Sequence, residues 1–313
     1  MGLYTRRDGM MDGLDVIGDI HGHATKLREL LTALGYDERD GVYKHPQRRV
    51  VFLGDFIDRG KQQLEVYNIS RRMCETGSAF AVMGNHEFNA IGWFEKDDNG
   101  VPLRDHSEDN TKQHGDFLHS VGEDSSKHRE VIEWFKTLPL WLELKVVRFI
   151  HACWHEPSQR ALSVHLNDDL ALTSSGLRHA HSKKSDAHPS TEVILKGPEI
   201  LIPGGKTFPD AEGKERRHCR IKWWDNNATS LRTVATGLRG KEYTLPDIPV
   251  EHVYHYSDPI PLFFGHYWMT GQPKLLTPHT ACLDYGVANG GPLVAYRWSG
   301  EAALKEGNLK YVA

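Results

Sequence analysis

The sequence lacks several features that would assign it to a specialised class of protein. No apolar run approaches the length of a membrane span, and the N-terminal residues contain no apolar leader. The net charge is only −4, which argues against general affinity for nucleic acid. Cysteine is scarce and widely scattered, so neither a zinc knuckle nor a disulfide framework is indicated. We therefore expect a cytoplasmic protein without a membrane or a stable nucleic-acid partner.

What the sequence does contain is typical of a globular α/β protein. Of its 313 residues, 39% are hydrophobic and 26% are charged, and this length supplies ample material for a core. Short apolar runs, typical of strands buried on both faces, each lead into a polar loop that holds candidate ligands. These runs cover residues 14–17, 49–53, 79–83, 146–150 and 261–264. Candidate helices lie between them, at 24–34, 62–74 and 126–138, and three further strands are predicted near 282–285, 293–298 and 309–312.

The stretch from about residue 157 to residue 250 differs from the rest. Its hydrophobic periodicity is poor, and it contains several Pro and Gly residues and a Trp pair. A long segment of this kind is usually functional or disordered. We interpret residues 1–313 as a single domain with a lid-like insertion at about 157–250.

Polar side chains with metal-ligand chemistry follow the predicted strands. Hard divalent cations prefer carboxylate and amide oxygens, and imidazole suits transition metals. The carboxyl ends of strands in α/β sheets are where ligands bind. The carboxylate of Asp55 has two oxygens and could serve two ions, and two such ions would attract a phosphate group and acidify a bridging water. The candidate metal ligands are Asp19, His21, Asp55, Asn85, His151 and His266.

Three blocks carry a family resemblance. They are residues 18–22 (Gly-Asp-Ile-His-Gly), 54–60 (Gly-Asp-Phe-Ile-Asp-Arg-Gly) and 84–87 (Gly-Asn-His-Glu). In this order they resemble the signature blocks of the PPP family of calcineurin-like metallophosphoesterases. That family includes protein serine/threonine phosphatases and symmetrical dinucleoside tetraphosphatases. The resemblance covers residues 14–156 well and residues 261–299 more loosely.

The resemblance implies a fold, a metal centre and catalytic roles. The fold would be a β-sandwich flanked by helices in αββα layers, with a dinuclear metal site at the strand ends. One metal would be bound by Asp19, His21 and Asp55, and the other by Asp55, Asn85, His151 and His266. His86 would protonate the leaving group, Asp58 would orient His86, and Arg59 would hold phosphate oxygens with Asn85 beside it. Manganese is favoured, with iron or zinc as alternatives.

The function predicted first is hydrolysis of phosphate monoesters, as in serine/threonine protein phosphatases, by direct attack of a metal-bridging hydroxide. The alternative is a bis(5'-nucleosyl)-tetraphosphatase that hydrolyses diadenosine tetraphosphate. The substrate would accordingly be a phosphoprotein or a nucleotide. A non-catalytic binding module is a third reading, which the complete ligand set opposes.

The basic stretch from Lys214 to Lys222 has two interpretations. A solvated basic strand is one. The other is a lid that supplies phosphate-binding arginines, because guanidinium groups bind phosphate oxygens in pairs. The catalytic arginine that the family often takes from this region is not identified by the sequence.

Overall fold

The computed structural model describes residues 13–144, 146–209, 215–238, 240–251 and 253–313. Within these ranges, two sheets form the centre of the molecule. The first has the spatial order β16 (Leu309–Val312), β15 (Leu293–Trp298), β1 (Gly13–Ile17), β4 (Arg48–Phe52) and β5 (Ala79–Ala81). The second has the order β14 (Thr280–Cys282), β13 (Leu262–Phe264), β7 (Val147–Ile150) and β6 (Trp141–Leu144).

Each main sheet is mixed. In the first sheet, β1, β4 and β5 run parallel, while β15 pairs antiparallel with both β1 and β16. In the second sheet, β7, β13 and β14 run parallel, and β6 pairs antiparallel with β7. Parallel strands end at the same edge of their sheet, so the segments that follow β1, β4, β7 and β13 are brought to related edges.

The two sheets pack face to face because alternate residues of each strand point to opposite sides. Val16 and Val51 belong to the same buried cluster as Phe149 and Phe263 of the second sheet. Across the sandwich, the ring centroids of Phe263 and Tyr296 lie 4.9 Å apart. The outer faces of the sheets pack against helices in a second, larger cluster. The predicted αββα layers are confirmed.

The helices of the described residues cover these outer faces. They are α1 (Ala24–Ala33), α2 (Gln63–Glu75), α3 (Asn85–Phe94), α4 (Glu108–Val121), α5 (Ser126–Phe135), α6 (Glu156–Leu162), α7 (Ser174–His181), α8 (Ala187–Lys196) and α9 (Leu231–Val234). None of them is long and apolar enough to cross a membrane. The strands and the first helices lie within a few residues of the predicted positions, with ends that differ by up to three residues.

The stretch from 157 to 250 is more regular than its periodicity indicated. Its first part contributes α7 and α8, whose buried residues join the larger core cluster. Its second part forms a small antiparallel sheet, β12 (Ala235–Thr236), β11 (His218–Ile221) and β8 (Glu199–Leu201), with a buried cluster of its own. Helices of eight to ten residues give only two turns of periodic signal. The domain boundaries stay a prediction.

Three minor features complete the description. Two short strand pairs, β2 (Asp37–Arg39) with β3 (Val42–Lys44) and β9 (Phe208–Pro209) with β10 (Glu215–Arg216), lie apart from the main sheets. The rings of Trp223 and Trp224 lie 4.7 and 5.1 Å from that of Phe264, so this pair packs the insertion against β13.

Candidate metal centre and active site

The predicted site residues come together at the carboxyl ends of the strands. The segments after β1, β4, β7 and β13 contribute most of them, namely Asp19, His21, Asp55, Asp58, Arg59, His151 and His266. The prediction was wrong on one local point: Asn85 and His86 lie in the first turn of α3, not in a loop. Gly84, the residue before this helix, lies so close to Asp55 that an added Cβ would come within 2.3 Å of its Oδ1.

Several of these side chains stand on left-handed backbone. Among the described residues, nine other than glycine have a positive φ, and six of these nine belong to the site or contact it. Such conformations are unfavourable for residues with a Cβ and are concentrated at functional sites. The six are His21 (45°), Asp55 (53°), Asp58 (64°), Arg59 (72°), His266 (71°) and Trp268 (47°).

The carboxylate of Asp55 lies at the centre of the site. Its Oδ2 is 3.5 Å from Nε2 of His21 on one side and 3.5 Å from Nε2 of His151 on the other. Two groups of potential ligand atoms share this carboxylate, each spanning less than 4.8 Å. One contains His21, Asp55 and His86, and the other contains Asp55, His151 and His266. This arrangement is the one expected for a carboxylate that bridges two cations.

The imidazoles present the nitrogens that a metal would need. Nδ1 of His21 donates to the carbonyl of Ile57 at 2.9 Å, and Nδ1 of His151 donates to that of Leu53 at 2.7 Å. These bonds leave Nε2 of each ring as the acceptor that faces Asp55. Nε2 of His21 and Nε2 of His266 are buried without a hydrogen-bond partner. Burial lowers the pKa of His21 to about 3, so it is neutral, as a metal ligand must be.

Asn85 and Asp19 occupy different parts of the site. Oδ1 of Asn85 lies 3.0 Å from Nε2 of His151, so two potential ligand atoms converge there. Asp19 instead accepts hydrogen bonds from the backbone N–H of His266, at 3.1 and 3.3 Å. Burial first, and then the charges of Asp284 and Asp55, raise the pKa of Asp19. A cation beside Asp19 would reverse this effect. The donor set as a whole fits two divalent ions.

His86 forms a short chain of hydrogen bonds with two other buried residues. Its Nδ1 lies 2.5 Å from Oδ2 of Asp58, whose Oδ1 accepts from Nδ1 of His114 at 3.0 Å. Burial opposes the charge of Asp58, but His114 and His86 together hold its pKa below the usual range. Burial also opposes protonation of His86, yet the negative charges of Asp55 and Asp58 raise its pKa. Nε2 of His86 lies 3.9 Å from Oδ2 of Asp55, so a proton held on Nε2 would face the Asp55 carboxylate.

His114 was not anticipated from the sequence. It lies on α4, 56 residues beyond Asp58, and is completely buried. A histidine at an apolar helix position gives no signal that separates a packed residue from one that supports catalysis. Only the contact with Asp58 identifies it.

Glu87 is a second buried residue whose role the sequence did not give. Its Oε2 accepts from the backbone N–H of Asp55 at 2.8 Å, and its Oε1 accepts from that of Phe56 at 2.8 Å. Burial raises the pKa of Glu87 to about 7. Glu87 therefore fixes the backbone that carries Asp55.

Two arginines lie beside the centre. Burial lowers the pKa values of His21 and His86, and the positive charge of Arg59 acts in the same direction on both, although Asp55 and Asp58 raise the pKa of His86 overall. Arg220, on β11, lowers the pKa of buried His266, second only to burial itself. Arg220 belongs to the basic stretch that the sequence singled out, and the sequence alone could not select it. In the same stretch Arg216 and Arg217 are exposed, and Lys214 lies outside the described residues.

The model of the family described as calcineurin-like phosphoesterase matches residues 14–183, more than half of the chain. The chain belongs to the calcineurin-like phosphoesterase family. The recognition made from the three sequence blocks is thus confirmed, and so is the assignment to phosphoester hydrolases. Family membership and the buried His and Asp clusters together indicate a dinuclear metal site in this phosphoesterase.

Curated relatives of this phosphoesterase include the asymmetrical bis(5'-nucleosyl)-tetraphosphatases PrpE. The protein of Oceanobacillus iheyensis is 33% identical over 140 residues, which cover 44% of this chain and 54% of that protein. The protein of Halalkalibacterium halodurans is 44% identical over 73 residues, covering 23% of this chain and 30% of that protein. The chain thus spans about half the length of the first relative and less than a third of the second.

Solved structures resemble this phosphoesterase at low sequence identity. A putative diadenosine tetraphosphatase aligns over 97% of this chain and 94% of its own, with a TM-score of 0.49 and 16% identity. A serine/threonine phosphatase from Saccharomyces cerevisiae aligns over 98% and 80%, with a TM-score of 0.46 and 15% identity. Likeness at this level says nothing about the substrate.

Proposed function

We propose that this phosphoesterase hydrolyses dinucleoside polyphosphates of the diadenosine tetraphosphate class. The observation that carries the chemistry is the carboxylate of Asp55, with the Nε2 atoms of His21 and His151 each 3.5 Å from its Oδ2. The substrate class is supported by the curated relatives, which are named as asymmetrical bis(5'-nucleosyl)-tetraphosphatases. This was the alternative reading of the sequence, and these relatives favour it over the first reading.

The metal ligands would fall into two sets that share Asp55. When bound, two divalent cations would neutralise phosphate charge and acidify water, with manganese favoured over iron and zinc. As the family resemblance implies, the first set would be Asp19, His21 and Asp55, and the second Asp55, Asn85, His151 and His266. The structure groups His21 with Asp55 and groups His151 and His266 with Asp55, with Asn85 beside His151.

The other residues would act on the phosphate and on the leaving group. Arg59 and Arg220 would bind phosphate oxygens, because guanidinium groups pair with them and the charge of each lowers the pKa of a histidine of the centre. Asn85 would lie beside the bound phosphate. His86 would donate its Nε2 proton to the departing oxygen, with the ring held by Asp58 through Nδ1. An anionic leaving group such as a nucleotide gains from this proton donation as its P–O bond breaks.

A second candidate is hydrolysis of phosphate monoesters such as phosphoserine peptides. The blocks at 54–60 and 84–87 favour it, since they read more like those of protein phosphatases. The metal centre and His86 would serve either reaction, so the two candidates differ in what binds outside the centre.

A substrate panel separates the two candidates. Purified enzyme is assayed with diadenosine tetraphosphate, a phosphoserine peptide and an aryl phosphate at equal manganese concentration. The proposal expects the highest kcat/KM for diadenosine tetraphosphate, and chromatography of AMP, ADP and ATP identifies the bond cleaved. A higher kcat/KM for the phosphopeptide would replace the proposal by the second candidate. H86A should turn over the preferred substrate about a hundredfold or more slowly, while D98N, at an exposed position, should match the wild type.

A further inference from the structure

Trp268 makes a contact that the mechanism above does not use. It lies two residues after His266, is half-buried, and has a left-handed backbone with φ of 47°. The guanidinium carbon of Arg59 lies 4.3 Å from the centroid of its indole ring. Arg59 precedes Trp268 by more than 200 residues, so the contact joins the segment after β4 to the segment after β13.

The backbone of Trp268 is itself held in place. Its N–H donates to Oδ2 of Asp284 at 2.9 Å, and the next amide, of Met269, donates to the carbonyl of Asp284 at 2.8 Å. The second oxygen of this carboxylate accepts from the N–H of Gly286 at 2.9 Å. Asp284 is buried and lies two residues beyond β14. The sheet therefore fixes the unfavourable backbone conformation of Trp268 through Asp284.

The contact restricts the rotamers of a long side chain. Arg59 is half-buried, and its own φ of 72° lies in the left-handed region. An arginine side chain loses rotamer entropy when a ligand orders it. A guanidinium held over an indole has already lost part of that freedom, and this contact uses the face of the group while its N–H bonds lie in the guanidinium plane.

We propose that Trp268 is a positioning residue that holds the Arg59 guanidinium ready to bind a phosphate group, with Asp284 fixing Trp268 in turn. This rests on the phosphate-binding role proposed for Arg59, but it does not depend on which phosphoester is the substrate. Trp268 acts through Arg59 and does not contact the reacting atoms.

The test is a double-mutant cycle between Trp268 and Arg59, read out by binding of inorganic phosphate to the metal-loaded enzyme. In W268L we expect phosphate affinity to fall roughly 5-fold or more, because a stacked cation–π contact is lost. W268F keeps an aromatic face and should recover part of this loss. In the R59A background, W268L should have no further effect, because the group that Trp268 positions is absent. Metal content should stay at the wild-type value in every variant.

Three results would overturn the proposal. The first is unchanged phosphate affinity in W268L. The second is that W268L lowers phosphate affinity as much in the R59A background as in the wild type. The third is that W268F loses as much phosphate affinity as W268L. W141L, at a half-buried tryptophan on β6, is the matched control and should bind phosphate as the wild type does. If W268L does not fold, W268M in the same cycle decides. Because the probe is phosphate itself, failure of the proposed dinucleotide activity would leave this test intact.

Discussion

The carboxylate of Glu87 lies against the backbone of Asp55, and its Oε2 accepts the N–H of Asp55 at 2.8 Å. The same oxygen accepts from Gly84 at 3.0 Å, and Oε1 accepts from Phe56 at 2.8 Å. One buried side chain thus satisfies three amides in the two segments that carry Asp55 and Asn85. The position of the Asp55 carboxylate, which would bridge the two metals in the proposed centre, depends on this support.

Removing the Glu87 carboxylate should destabilise the protein. E87A would leave buried amides without acceptors, at about 1–3 kcal/mol for each group that water cannot reach. We expect the free energy of unfolding in urea to fall by roughly 2–4 kcal/mol. E133A removes an exposed glutamate that pairs with Lys136 and should cost less than about 1 kcal/mol. Equal losses in the two variants would contradict the supporting role.

Asp55→Asn should weaken binding of both metals. The substitution keeps the shape of the side chain but removes the charge that lies between His21 and His151. Elemental analysis after gel filtration should show less than one metal per chain, whereas the exposed variant D98N should retain the wild-type content. Two full metals in D55N would rule out a bridging carboxylate at this position.

His86→Ala should slow turnover without loss of metal. General acid catalysis contributes about a hundredfold or more, and the loss should be greatest for substrates with poor leaving groups. Steady-state kinetics with an alkyl phosphate and a nitrophenyl phosphate measure this difference. The same fractional loss on both substrates would remove His86 from the acid role.

His114→Gln should reduce kcat more than it changes KM. Without the His114 hydrogen bond, Asp58 is held less firmly and orients His86 less well. We expect a loss of about tenfold in kcat, again larger for poor leaving groups. The control is H119Q, at an exposed position on the same helix, which should behave as the wild type. Unchanged kcat in folded H114Q would limit His114 to a packing role.

Acid should destabilise the protein in part through His128. Burial lowers the pKa of His128 to about 4 from an unfolded value of about 6.5, so the unfolded chain binds the proton first. Stability should fall as the pH drops from about 6.5 to about 4, by at most about 1.4 kcal/mol per pH unit from this group. Urea unfolding of wild type and H128Q across this range should show a shallower slope for H128Q. The exposed variant H119Q should keep the wild-type slope, and parallel curves for H128Q would contradict the assignment.

Local signals in the sequence predicted the strands and the candidate ligands that follow them, while the αββα layers were implied by the family resemblance. Apolar runs such as 49–53 mark strands, and the polar residues directly after them have to meet at the sheet edge. The sequence could not predict that Asn85 begins a helix, since Gly84 gives no side-chain cap. The hydrogen-bond partner of each carboxylate depends on tertiary packing, as for Asp19, which accepts from the backbone N–H of His266.

The sequence did not single out residues that contact the site across long sequence separations, for a different reason. His114, Arg220 and Trp268 each reach the site from segments whose own pattern indicates only a helix, a strand or a loop. Nothing local distinguishes Arg220 from its neighbours Arg216 and Arg217, which are exposed. Such partnerships are fixed by the way the layers pack.

The six left-handed residues around the centre imply a conflict between robustness and activity. Each costs on the order of 1 kcal/mol, so together they offset a sizeable part of the 5–15 kcal/mol that a domain typically has. Packing in the rest of the sandwich has to offset this conformational free energy. Substitutions that relieve these left-handed conformations would therefore raise thermal stability most easily, but they would remove the side chains on which the proposed hydrolysis depends.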